Sequence, residues 1–202
     1  DHPRLRAGLS IGEFTVGSYS IASNIIYMAR GSVNTYRNGL RIGHLGGAPS
    51  IDRRYRTPGL SWWPEEVITQ DDVDKLVSSA GGSPLDILVT HDAPALPPGI
   101  REIRDDAIFA AKASESLRLV REAVARTGAR LLIHGHYHRR YTSELTIPGD
   151  PSIHTRIEGL GDCDRPLSDC CLIVDIGADG SDSVTSRPSQ IAYLRVIPLK
   201  HG

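Results

Sequence analysis

Leu131-Leu132-Ile133-His134-Gly135-His136-Tyr137-His138 is the stretch on which the reading of this chain turns. Its three leading apolar residues follow a helical pattern and run straight into histidines, as a short buried strand does. Ligands in open α/β sheets gather where strands end, and His134, His136 and His138 would emerge there. His136 and His138 are two positions apart, so an extended backbone would point both to one face, with Gly135 allowing a tight bend beside them. Neutral imidazole is the commonest protein metal ligand near pH 7. A His-rich surface turn is the plainer alternative.

Upstream, Leu85-Asp86-Ile87-Leu88-Val89-Thr90-His91-Asp92 is a second apolar strand that delivers a histidine. The proline-rich Ala93-Pro94-Ala95-Leu96-Pro97-Pro98-Gly99 must be loop. A long helix is expected over 105–126, with Leu117, Val120 and Val124 on one face and Gly128 capping its end. Strand, helix and strand make a βαβ unit with parallel strands, which brings both histidine ends to one sheet edge. That convergence favours a metal site over the plainer alternative.

Further from this unit the pattern thins. Phe14-Thr15-Val16, Ile25-Ile26-Tyr27-Met28 and the run 40–47 read as strands. Residues 71–79 read as a short helix with Thr69 and Asp72 as its capping pair and Gly81-Gly82 as its stop. After Arg140 the stretches 141–147, 153–157, 170–176 and 191–197 are strand-like.

Composition narrows the class. The 202 residues, 40% hydrophobic, suffice for one core and hence one domain. A net charge of −1 supplies no general field for nucleic acid or an anionic membrane. Cys163, Cys170 and Cys171 form no CxxC pair, which fits a reduced, cytoplasmic setting. No apolar run approaches the ~20 residues of a membrane span, and no signal peptide opens the chain. The opening Asp1-His2-Pro3 lacks an initiator Met and suggests a processed or partial chain.

Val89-Thr90-His91 and Gly135-His136-Tyr137-His138, in that order and separated by a helix, resemble the last two signature blocks of the calcineurin-like metallophosphoesterases. Gly46-Gly47-Ala48 with Ser50-Ile51-Asp52, Ser61-Trp62-Trp63-Pro64-Glu65-Glu66 and His91-Asp92-Ala93-Pro94 resemble one bacterial and phage branch of that family. The likeness spans about 28–176. It implies an α/β fold, a β-sandwich flanked by helices, of which this single domain is the C-terminal portion. It also implies two divalent ions (Mn, Fe, Zn, Ni or Co), with His91 and His136 on one and His138 on the other. His136 and His138 would then be the catalytic ligands of a hydrolase that attacks a phosphoester with metal-activated water.

The family's Asp-x-His, Gly-Asp and Asn-His blocks do not occur upstream of His91. Gly149-Asp150 and Gly161-Asp162 come after the histidine stretch, in the wrong order. Without the bridging carboxylate, three neutral histidines should hold two dications poorly. Hydrolysis is therefore expected of the complete protein, and little or none of the 202 residues alone. An inactive phosphoesterase-fold binding module and a nuclease remain as alternatives, though neutral charge argues against nucleic acid.

Other residues carry two readings. Arg53, with Arg54 and Arg56, either forks a substrate phosphate or pairs with Glu65 and Glu66. Arg139 or Arg140 could reach the phosphate. Trp62 and Trp63 either stack a nucleobase or anchor their loop. Asp92 either orients His91 or caps a loop, Asp52 caps a turn, His134 either supports a ligand or only fills the sheet, and His44 packs.

Overall fold

The computed structural model describes residues 18–22, 25–36, 39–50, 52–101, 107–178 and 191–197. The expected strand at Phe14-Thr15-Val16, the Ile51 position and the first residues of the expected 105–126 helix lie outside them.

Ten strands are described, in three sheets. β1 (Ser18–Ala22) and β2 (Ile25–Met28) form an antiparallel pair. The main sheet contains β3 (Ser32–Thr35), β4 (Arg41–Leu45), β5 (Ile87–Thr90), β6 (Leu131–His134), β7 (Tyr141–Ile147) and β8 (Asp150–Gly159). Its order is β3-β4-β5-β6-β8-β7, with β4, β5, β6 and β8 parallel and both edge strands antiparallel. β9 (Ile173–Ala178) and β10 (Ile191–Ile197) make the third sheet.

Helix α1 (Gln70–Ala80) and helix α2 (Ala107–Thr127) are the crossovers that parallel pairing requires. Thr69 and Asp72 cap α1 reciprocally, and Gly81 ends it at φ 60°. Gly128, at φ 57°, donates its N–H to the Val124 carbonyl and closes α2. The inner face of α2 is rotated from the expected stripe. Leu119 is fully buried beside Val120, Ala123 and Val124, whereas Leu117 is only half-buried. Small residues at Ala113, Ser116 and Ala123 set that buried face, and periodicity of the large residues alone does not reveal it.

Two apolar clusters sandwich the main sheet. On one side Leu45, Leu88 and Leu132 meet Val73 and Leu76 of α1 and Leu119 and Val124 of α2. On the other, Leu40, Ile87 and Leu131 meet Val174, Ile176 and Val196 of the β9–β10 pair. The architecture is mixed α/β, a six-stranded sheet flanked by helices, with a two-stranded sheet on its second face. The expected strand over 170–176 begins later, at Ile173, because Leu167–Cys170 form a helical turn, α3. The expected 153–157 strand extends to Asp150–Gly159 through its pairing with β7. No described helix is long and apolar enough to cross a membrane.

Candidate functional site

Because β4, β5 and β6 run parallel, the loops that follow them open on the same edge. His91 is the first residue after β5, and His136 and His138 follow β6. The rings of His91 and His136 lie 5.0 Å apart, edge to face at 63°.

The backbone reaches this arrangement differently from the extended strand expected of the sequence. β6 ends at His134, and His136 and His138 adopt φ values of 69° and 53°. The Tyr137 N–H donates to the Gly135 carbonyl at 2.8 Å, which makes a γ-turn about His136. Histidine, not Gly135, therefore carries the left-handed bend. Such conformations cost about 1–2 kcal/mol per non-glycine residue and persist only where packing enforces them.

Tyr137 supplies that packing. It is buried, and its hydroxyl donates to Asp92 Oδ1 at 3.0 Å. Asp92 is 1% exposed and also accepts from the Ser116 hydroxyl on α2 at 2.5 Å and from the Ala93 N–H at 2.8 Å. Burial pushes the Asp92 carboxyl up in pKa, against the pull of these three donors. Burial, and then the Asp92 charge, push the Tyr137 phenol up as well. Asp92 thus fastens α2 to the histidine turn and caps its own loop, and its charge also acts on His91. His134 is buried in the sheet, with Nδ1 3.0 Å from the Gly135 carbonyl and Nε2 2.6 Å from the Tyr141 hydroxyl. Both its ring nitrogens are engaged within the fold.

His91, His136 and His138 line a cleft of ≈ 580 Å³. Burial, and next the neighbouring imidazole, lower His91 to a pKa of about 4. His136 is likewise lowered to about 4 by burial and then by His134 and His138. His91 keeps an exposed edge in the cleft, yet protein surrounds enough of its ring for desolvation to dominate. Both rings are neutral at pH 7, with lone pairs able to ligate a cation or accept a proton. His138 is more open, its Nδ1 3.4 Å from Asp162 Oδ2. Among the described residues no group of three or more His, Cys, Asp or Glu side chains is placed to hold a metal ion.

The facing wall comes from β2 and from two loops. Met28, Arg30, Gly47, Ser50, Asp52, Arg56 and Glu66 all border the cleft. Gly47 sits at φ 117°, and a Cβ there would strike the Glu66 carbonyl, so only glycine lets these loops approach. Glu66 accepts from the Ser50 hydroxyl at 2.5 Å and the Trp63 N–H at 2.8 Å, which locks the Trp-Trp-Pro-Glu-Glu turn. The Arg30 guanidinium donates to the carbonyls of Glu65, Glu66 and Val67, holding the same loop.

The arginines read as phosphate forks divide between positions. Arg56 borders the cleft and pairs with Asp52 at 2.7 Å. Arg53 lies outside it, its guanidinium 3.9 Å from the Phe109 ring centroid. Arg139 lies beside Gly99, and Arg140 is bound to the buried Glu158 at 2.5 Å. His44 is half-buried, as a packed histidine should be, and burial lowers its pKa. Arg30 carries no local sequence signal, and Asp162, the partner of His138, shows only as the out-of-order Gly161-Asp162 pair; each comes to the site from a distant part of the chain.

No protein-family model matches this chain, and no curated protein matches it significantly.

Proposed function

We propose that this chain carries the histidine half of a metal-dependent phosphoester hydrolase of the calcineurin-like kind. The observation that supports the reading is the pair of neutral imidazoles, His91 and His136, packed 5.0 Å apart at the end of two parallel strands and facing a cleft. Two histidines with lowered pKa values suit Mn, Fe, Co, Ni or Zn, but they complete no coordination sphere. A two-metal centre also needs carboxylate donors; Asp52 and Glu66 border the same cleft, but among the described residues no group of three or more such side chains is placed to hold a metal ion. Those donors would come from outside the described residues. A bound divalent pair would polarise the phosphoryl oxygens and acidify water. In this reading the chain's own residues position that chemistry. His91 and His136 donate nitrogen lone pairs, Tyr137 and Asp92 hold the turn, and Arg56 adds positive charge at the cleft's edge. The two-sheet layering supports the same family, with the resemblance covering the C-terminal part of its fold.

A binding module without turnover is the second reading, favoured by the absence of a three-ligand cluster among the described residues. The two separate in one experiment. Metal content and hydrolysis of an aryl phosphate and an aryl phosphodiester are measured with added manganese, for the longest gene product and its His136→Ala variant. Metal-dependent turnover that disappears in the variant supports hydrolysis, and the substrate ratio distinguishes monoester from diester. Absence of turnover, with metal content unaffected by the substitution, rejects the catalytic reading and leaves the binding module.

A further inference from the structure

Beside the histidine cleft lies a second, smaller recess of ≈ 70 Å³. Ser50 and Glu66 border both spaces, so the two share a wall. The recess is lined by Trp62, Trp63 and Phe109, with Arg53 and Lys112 as its cations. These are the only two tryptophans of the chain. Neither is buried, although both belong to a loop fastened by Glu66 and Arg30. The Arg53 guanidinium lies over Phe109, its Cζ 3.9 Å from the ring centroid, a cation–π contact. Ile108, also on the lining, leaves 73% of its surface in water.

We infer that this recess takes the nucleobase of a nucleotide whose phosphate lies at His91 and His136. The half-buried indoles of Trp62 and Trp63 can stack any base, because every base presents a π-face, while Phe109 is buried beneath Arg53 and forms the floor. The Arg53 guanidinium adds both stacking surface and positive charge, which favours a phosphorylated ligand over a neutral one. A ring lying across the mouth would cover the exposed Ile108 and keep its edge in the small recess. The shared wall of Ser50 and Glu66 sets such a base next to the phosphate position. The inference rests on the phosphoester reading for the position of that phosphate, and it narrows the substrate class to nucleotides.

Tryptophan fluorescence of the 202-residue chain, excited beyond nucleotide absorption, reads this recess directly. It is titrated with AMP and, separately, with ribose 5-phosphate, which has the phosphate but no base. Expected is saturable quenching by AMP at a concentration about fivefold or more below that for ribose 5-phosphate, in line with base-stacking contributions. Arg53→Ala, which removes the guanidinium over the buried Phe109 ring, weakens AMP binding at an unchanged urea midpoint, and Trp62→Phe removes part of the signal. Equal effects of AMP and ribose 5-phosphate, or fluorescence unmoved by AMP, overturn the proposal. The readout requires neither metal nor turnover. Base-dependent quenching without hydrolysis therefore spares the recess while rejecting the phosphoesterase reading, and metal-dependent hydrolysis without quenching does the reverse.

Discussion

Replacing Tyr137 by Phe tests what holds the histidine turn. The substitution keeps the ring that packs against His136, 4.8 Å between centroids, and removes only the hydroxyl. That hydroxyl is buried and donates to a carboxylate, so its loss falls in the range for charge-assisted bonds, about 1.5–3 kcal/mol. Asp92 retains two donors, Ser116 and the Ala93 N–H, which places the expected loss near the middle, about 2 kcal/mol. For a chain of this size that corresponds to a midpoint lower by about 4–8 °C. Urea unfolding of wild type, Tyr137→Phe, Asp92→Asn and the double variant forms a cycle that isolates the pair. A coupling energy of about 1 kcal/mol or more is expected. A coupling indistinguishable from zero would refute the claim that this bond fixes the turn, whatever the single variants cost.

Acidification gives the next test. His91 and His136 both titrate below their unfolded value, so the unfolded chain binds more protons as the pH falls. Their contribution is complete above pH ~6.5 and is lost towards pH ~4. The urea midpoint should fall across that window, and His136→Gln should flatten the decline. The raised Asp92 carboxyl acts in the opposite sense, which is why the variant comparison, rather than the wild-type curve alone, decides. Beside the cleft wall, Thr69→Ala removes the cap of α1 and should cost about 1 kcal/mol by urea unfolding. An unchanged midpoint there would mean that tertiary packing, not the cap, sets the start of the helix.

Local pattern was enough for the elements whose neighbours in sequence are also their partners in space. The Thr69–Asp72 cap, the glycine ends of α1 and α2, and the strands Tyr141–Ile147 and Ile191–Ile197 all stand where propensity and periodicity put them. The βαβ unit was legible because β5 and β6 are apolar runs with a helix between them. By contrast, β3, Ser-Val-Asn-Thr, is a short polar edge strand, and only its pairing with β4 makes it one. The turn at His136 and His138 departs from the extended form that local sequence suggests because its cause, the Tyr137–Asp92–Ser116 linkage, joins residues 24 and 45 positions apart. The cleft wall shows the same limit. Arg30 reaches Glu65 across 35 positions, and no window on the sequence contains both.

The two left-handed histidines have one more consequence. Glycine would occupy either position at no steric cost, so imidazoles there leave about 2–4 kcal/mol of conformational strain in the native state. His138 is mostly exposed, and stability alone would be better served by glycine. His138→Gly should therefore raise the midpoint, whereas His138→Ala, which keeps a Cβ, should not. A more stable protein from the loss of a side chain is the mark of a position kept for its chemistry at the expense of the fold.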